Sequence, residues 1–380
     1  MKKAFILLSL FVIILSGCAP KFNKQDEVIQ EPTEDSEGEQ RFIVPQRVTD
    51  EEYRIMLPYE VSAARGVITK QVSNRYDIDE LEQGLVRHAS TVFDPETYFF
   101  QEGQYLNENT VINWIDEFNP VKASQALGDD ATVDEHRQYH EENPRILSHI
   151  LEQNYLILGE ENKVEIGGVA IALALKSELA YTTEIGGPTY YHSIDKDEML
   201  EFGKEVANKV LEQLRYIEEL RDVPILIMLY QQNANNAIVP GNYVAKTVVQ
   251  PQTMLIGEWT EVNEEYVLFP SNRAVQEYYD HSEMVRNLTN DVTKFFPNYV
   301  GVIGKGFYID GQLQEMTINI PVEFKGKQEI VGFTQHLYGL ILEHFPNNFD
   351  LQISIESLKK QEALVVRKAG EQEPFVHIYH

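Results

Sequence analysis

The feature that most limits what this chain can become is its single cysteine, Cys18, because 380 residues holding one thiol can form no internal disulfide. Cys18 closes the tetrapeptide Leu15-Ser16-Gly17-Cys18, behind an apolar run over 4–15 broken only by Ser9 and the basic pair Lys2 and Lys3. A basic start, an apolar run and small residues are the parts of an export signal. A run of about a dozen residues falls short of the roughly 20 that a helix needs to cross a hydrocarbon core of about 30 Å. Ser16 and Gly17 let a membrane peptidase reach the backbone, and Cys18 offers a thiol that takes a diacylglyceryl thioether, so the arrangement reads as a lipobox. Lipidation is expected at Cys18 by a diacylglyceryl transferase, and cleavage between Gly17 and Cys18 by signal peptidase II. The product is expected on the extracellular face of the cell membrane, held to the lipid bilayer by acylated Cys18. Two acyl chains anchor firmly where one binds only marginally. An exported fold without disulfides must rest on its core alone.

Beyond Cys18 the chain turns acidic. Asp26, Glu27, Glu31, Glu34, Asp35, Glu37 and Glu39 surround Pro32 and Gly38 with little apolar between them, a composition that cannot bury enough surface to order itself. Residues 18–48 are therefore expected to be a lipidated Cys with an acidic, flexible tether, disordered over 19–40. The formal charge of −28 excludes nucleic acid as a general ligand, since the surface lacks the basic footprint that phosphates require. Anionic lipid would repel the folded part as well, leaving the acyl chains to supply membrane attachment.

The rest reads as α+β, with 49–270 holding an N-terminal segment plus a first repeat and 271–380 a second. Helices are expected over 77–92 and 111–118. From about 143 the pattern is helix 144–153, strands 155–159 and 164–176, a loop 178–195, helix 197–220, and strands 223–230 and 243–249. From about 272 it is helix 273–296, strands 299–309 and 313–324 about the turn Asp310-Gly311, helix 328–345, and strands 349–357 and 363–367. Both orders are αββαββ, so the expectation is two tandem repeats, each an antiparallel sheet with packed helices, after a helical N-terminal segment and the tether. Val169, Ile171 and Leu173 alternate as Ile318, Ile320 and Val322 do, as in half-buried strands. Phe202, Val206, Val210, Leu214 and Ile217 recur at helical steps, and so do Ile330, Phe333, Leu337 and Leu340.

Between the helices over 77–92 and 111–118 stands Tyr98-Phe99-Phe100-Gln101-Glu102-Gly103-Gln104-Tyr105-Leu106. With Ala64-Arg65-Gly66, the lipobox, Asn298-Tyr299 and Gly304-Lys305-Gly306, this stretch resembles the CamS family of Gram-positive sex-pheromone lipoproteins, over nearly the whole mature chain. The resemblance implies two repeats, and a signal peptide trimmed after cleavage to a short hydrophobic pheromone sensed by plasmid-carrying donor cells. The family has no established catalytic residues, so none carries over.

The residues themselves demand no enzyme, cofactor or metal. His136 and His140 would share one helix face beside Glu135 and Glu141, yet no further His follows in zincin spacing, and the acidic stretch 128–143 reads as mobile. No Gly-x-Ser-x-Gly elbow is present, Gly301-x-x-Gly304-Lys305-Gly306 lacks the Walker spacing, and no carboxylate pair stands out among so many acids. Candidate ligand contacts are Tyr181, Tyr190, Tyr191 and His192 in the long loop 178–195, and Phe99, Phe100, Gln101 and Tyr105. Packing on the chain itself is the competing role for both groups. Two functional classes follow: a lipoprotein precursor of a pheromone peptide, or an envelope lipoprotein that binds peptide or cell-wall material.

Overall fold

A computed structural model describes residues 28–30 and 41–379, apart from 45–46, 48, 50–51, 73, 129, 160–162, 296–300 and 324–325. Gly17, Cys18 and Asn298-Tyr299 lie outside the described residues. The chain opens with strands β1 (Val28–Gln30), β2 (Arg41–Ile43) and β3 (Arg54–Leu57), then helices α1 (Arg65–Gln71) and α2 (Arg75–Ala89), strand β4 (Phe99–Glu102), and helices α3 (Glu108–Phe118) and α4 (Ala123–Ala126). Next come α5 (Val133–Glu142), β5 (Leu147–Leu158), β6 (Val164–Lys176), β7 (Glu178–Thr182), β8 (Thr189–Ser193), α6 (Lys196–Arg215), β9 (Ile225–Gln232), β10 (Asn242–Val249) and β11 (Thr260–Glu261). The remainder is β12 (Glu264–Phe269), α7 (Asn272–Glu277), α8 (Tyr279–Phe295), β13 (Ile303–Ile309), β14 (Gln312–Pro321), α9 (Lys327–His344), β15 (Asp350–Glu356), β16 (Gln361–Arg367) and β17 (Phe375–Ile378). Among the described residues no helix is long and apolar enough to cross a membrane.

The strands form two principal sheets with separate membership. One runs β1-β2-β3-β4-β5-β6-β9-β10-β11, the other β12-β13-β14-β15-β16-β17, and β7 and β8 make a hairpin apart. From β4 onward the first has the pairing pattern of the second: every neighbour is antiparallel except one central pair, β6 with β9 and β14 with β15. The expected antiparallel sheets are thus mixed. In each, one helix lies on the path from the third strand of this pattern to the fourth, and such a crossover returns the chain parallel. The second sheet also begins ahead of residue 271, because β12 pairs with β13.

Local differences from expectation have physical causes. The expected helix 144–153 is the first half of β5, which is buried on both faces over most of its length and so shows no period of two. The helix ahead of that hairpin is α5 instead, inside the stretch expected to be mobile; Thr132 and Glu135 close a capping box at its start. Within the tether, β1 pairs with β2 and β2 with β3, and Ile43 is buried beside Met56, Phe99 and Leu156. The expected helix 273–296 breaks at Tyr278, which leaves the helical backbone region while its ring packs on Tyr308.

Strand β6 shows how the first core is built. Val169, Ile171, Leu173 and Leu175 face α6, packed with Val206, Val210 and Leu214. Ala170, Ala172 and Ala174 face the other way, leaving room there for Tyr155, Tyr230 and Tyr243 under Leu81 and Leu85 of α2. The first sheet is therefore covered on both faces. In the second, β14 alternates buried with exposed, and α8 and α9 cover one face through Val285, Leu288, Phe333 and Leu337.

Candidate binding cavity

The stretch 98–106 leaves the sheet at one residue. A Cβ at Gly103 would lie 2.6 Å from Glu152 Cβ, so only glycine permits this approach. The Gly103 N–H donates to the Glu152 carbonyl at 3.2 Å, and the chain then lifts off β5. Glu152 holds the departing strand, its carboxylate accepting from the N–H groups of Gln104 at 3.0 Å, Tyr105 at 3.1 Å and Leu106 at 2.7 Å. Burial raises its pKa, against the lowering effect of those amides.

Where β4 has departed, a cavity of about 240 Å³ opens beside β5, between α1 and α2. Ile68, Val86, Phe100, Leu106 and Ile150 make apolar wall, and Tyr59, Arg65, Glu82, Glu102 and His149 bring polar groups to it. Glu102 accepts from Tyr59 Oη at 2.8 Å and Ser62 N–H at 2.7 Å, with Arg65 Nη1 at 3.6 Å. Burial, then the hydrogen bond to Glu102, pushes the Tyr59 phenol up to about 12. Burial at the wall and the nearby Glu102 charge raise Glu82. His149 is deeper, and burial pushes its imidazole down to about 3, neutral at physiological pH. Apolar wall with a few convergent polar groups is the usual make-up of a small-ligand site.

A family model described as CamS sex pheromone cAM373 precursor matches residues 59–373. The chain belongs to the CamS family. Its structure is similar to a sex pheromone precursor from Lactobacillus salivarius subsp. salivarius at 27% identity and TM-score 0.80, covering 90% of this chain and 99% of that one. It also shares its fold with the C-terminal domain of the sex pheromone staph-cAM373 precursor from Staphylococcus aureus, at 24% identity and TM-score 0.68 over 82% and 98%. No curated protein matches.

In this CamS chain the candidate contacts divide. Phe100 lines the cavity. Phe99 is 1% exposed, in the core with Arg54 4.5 Å above its ring. Gln101 is turned to Glu60, donating from Nε2 at 2.6 Å, and Tyr105 packs against the α6-side core. The four loop candidates sit on the β7–β8 hairpin, where a loop was expected, and do not line the cavity. Tyr181 stacks on His140 at 4.5 Å and on Tyr190 at 5.7 Å, and its hydroxyl donates to Glu141. Arg137 covers Tyr190 at 4.9 Å. Tyr191 is exposed and His192 half-buried. The hairpin thus packs on α5, and His140 is its stacking partner; among the described residues no three potential metal ligands cluster.

Sequence reasoning missed Tyr59, Glu82, Val86 and His149. Glu82 and Val86 stand one helical turn apart on α2, a surface signal that could have marked them. His149 was hidden in the segment expected to be helical.

Proposed function

We propose that this CamS-family chain is an exported lipoprotein precursor: signal peptidase II cuts between Gly17 and Cys18, a diacylglyceryl group on Cys18 holds the folded part on the extracellular face of the cell membrane, and the released signal peptide is trimmed to a short apolar pheromone. The observation that carries this reading is the coincidence of Leu15-Ser16-Gly17-Cys18 with membership of a pheromone-precursor family. The released fragment ends Leu10-Phe11-Val12-Ile13-Ile14-Leu15-Ser16-Gly17, whose β-branched centre favours an extended form. Two tests address its two parts. The Cys18→Ala chain is expected to be uncleaved or shed; persistence in the membrane with the mobility of the mature form contradicts anchoring. Synthetic Leu10–Ser16 and Phe11–Gly17 are expected to induce aggregation or plasmid transfer in responsive donors, and silence of both, with neither found in the medium, contradicts the pheromone role.

A second reading concerns the folded part, and the cavity beside β5 favours it: the domain binds a small ligand of the envelope there. The Val86→Trp substitution is expected to fill the cavity and abolish binding, a loss that titration with candidate ligands detects.

A further inference from the structure

Among the charged groups on the cavity wall carboxylates outnumber cations, Glu82, Glu102 and Glu152 against Arg65. The Glu82 carboxylate, at the mouth, makes no hydrogen bond or ion pair among the described residues. Glu102 carries a second charge, with Arg65 at 3.6 Å. His149 is 2% exposed, lines the same cavity, and its Nδ1 has no hydrogen-bond partner. A buried polar atom left so costs stability unless something supplies the bond. With the ring neutral and its proton on Nε2, Nδ1 accepts. Three carboxylates, those of Glu82, Glu102 and Glu152, thus share the wall with one guanidinium, beside the neutral polar side chains of Tyr59, Ser62, Gln83 and Gln153 and the apolar patch of Ile68, Val86, Phe100, Leu106 and Ile150.

A ligand that fits must donate hydrogen bonds, carry positive charge at one end and be apolar beyond it. An anion meets the carboxylates. A sugar brings hydroxyls all round its ring, and those turned to Ile68, Val86, Phe100, Leu106 and Ile150 find no partner, at a desolvation cost. The cavity, about 240 Å³, has ample room: roughly 150 Å³ admits a benzene-sized molecule. We propose that it binds the free N-terminus of a short apolar peptide, the ammonium between Glu82 and Glu102, the first side chain against Val86 and Phe100, and a peptide N–H donated to His149. This rests on the reading that the cavity is a ligand site, and it names the ligand's class.

Calorimetric titration of the full-length chain with the tripeptide Leu-Val-Ile-amide, its N-acetylated form and glucosamine tests the assignment. The free amine is expected to bind about tenfold or more tightly than the acetylated peptide, the scale of a charge-assisted hydrogen bond. Glu82→Gln, at the exposed mouth, is expected to erase most of that ratio. Val86→Trp is expected to abolish binding of both peptides, with unchanged circular dichroism and melting as the check on folding. Equal affinity for the two peptides overturns the ammonium assignment and leaves the cavity a ligand site. Binding of glucosamine alone overturns the peptide class. Full binding by a folded Val86→Trp chain, or none by any probe, overturns both the assignment and the cavity reading.

Discussion

His149 makes acid sensitivity a property of one residue. Its imidazole titrates near 6.5 when unfolded and is pushed down to about 3 by burial in the fold. As pH falls below about 6.5 the unfolded chain takes up a proton that the folded chain refuses, so stability falls until about pH 3; above 6.5 the group contributes nothing to the pH dependence. Between pH 7 and pH 5 the loss is about 2 kcal/mol. The His149→Gln variant is expected to melt at a temperature that drops less over that interval than the parent's, whatever its absolute stability. An unchanged drop contradicts the buried neutral imidazole. Glu264 adds to acid sensitivity in the same direction. Burial would raise it, but the close approach of His88 and the Arg87 charge hold it below the usual range, so its contribution is present above about 4.5 and lost as pH falls.

At the level of elements, the β13–β14 hairpin turns through Asp310 at φ 51° and Gly311 at φ 75°, both left-handed, the geometry whose twist matches the flanking strands. Gly311→Val is expected to cost about 1–2 kcal/mol, read as a lower denaturation midpoint with unchanged m-value. This turn was legible because Asp-Gly between alternating apolar residues is a purely local signal. The helices α2, α3, α6 and α9 were legible too, since each keeps a polar face against an apolar one. The first half of β5 was not: Ser148, His149, Glu152 and Gln153 are buried polar residues there, and they break the alternation that marks a strand. The β7–β8 hairpin escaped because Tyr181 and Tyr190 pair across a turn over an α5 that was itself unread. Of the site, Phe100 was legible from its aromatic stretch, whereas Glu82, Tyr59 and His149 meet only through tertiary folding.

Across the whole molecule, a buried polar cluster joins the two sheets. Arg87 of α2 pairs with Glu80 at 2.7 Å and with Glu264 of β12 at 3.2 Å, His88 Nε2 lies 2.9 Å from Glu264, and the Arg87 guanidinium sits 4.5 Å over the Phe307 ring. Removing the cation strands Glu264, whose side chain is 2% exposed. Arg87→Ala is therefore expected to lower stability by about 3 kcal/mol, by chemical denaturation; a change under about 1 kcal/mol contradicts a role in joining the sheets. The central claim concerns the chain as a processed precursor, and mass spectrometry of the N-terminal tryptic peptide from the membrane fraction tests it most directly. The account predicts Cys18-Ala19-Pro20-Lys21 as the first peptide, with a diacylglyceryl group on Cys18. A chain that begins at Met1, or at an unmodified Cys18, would contradict it.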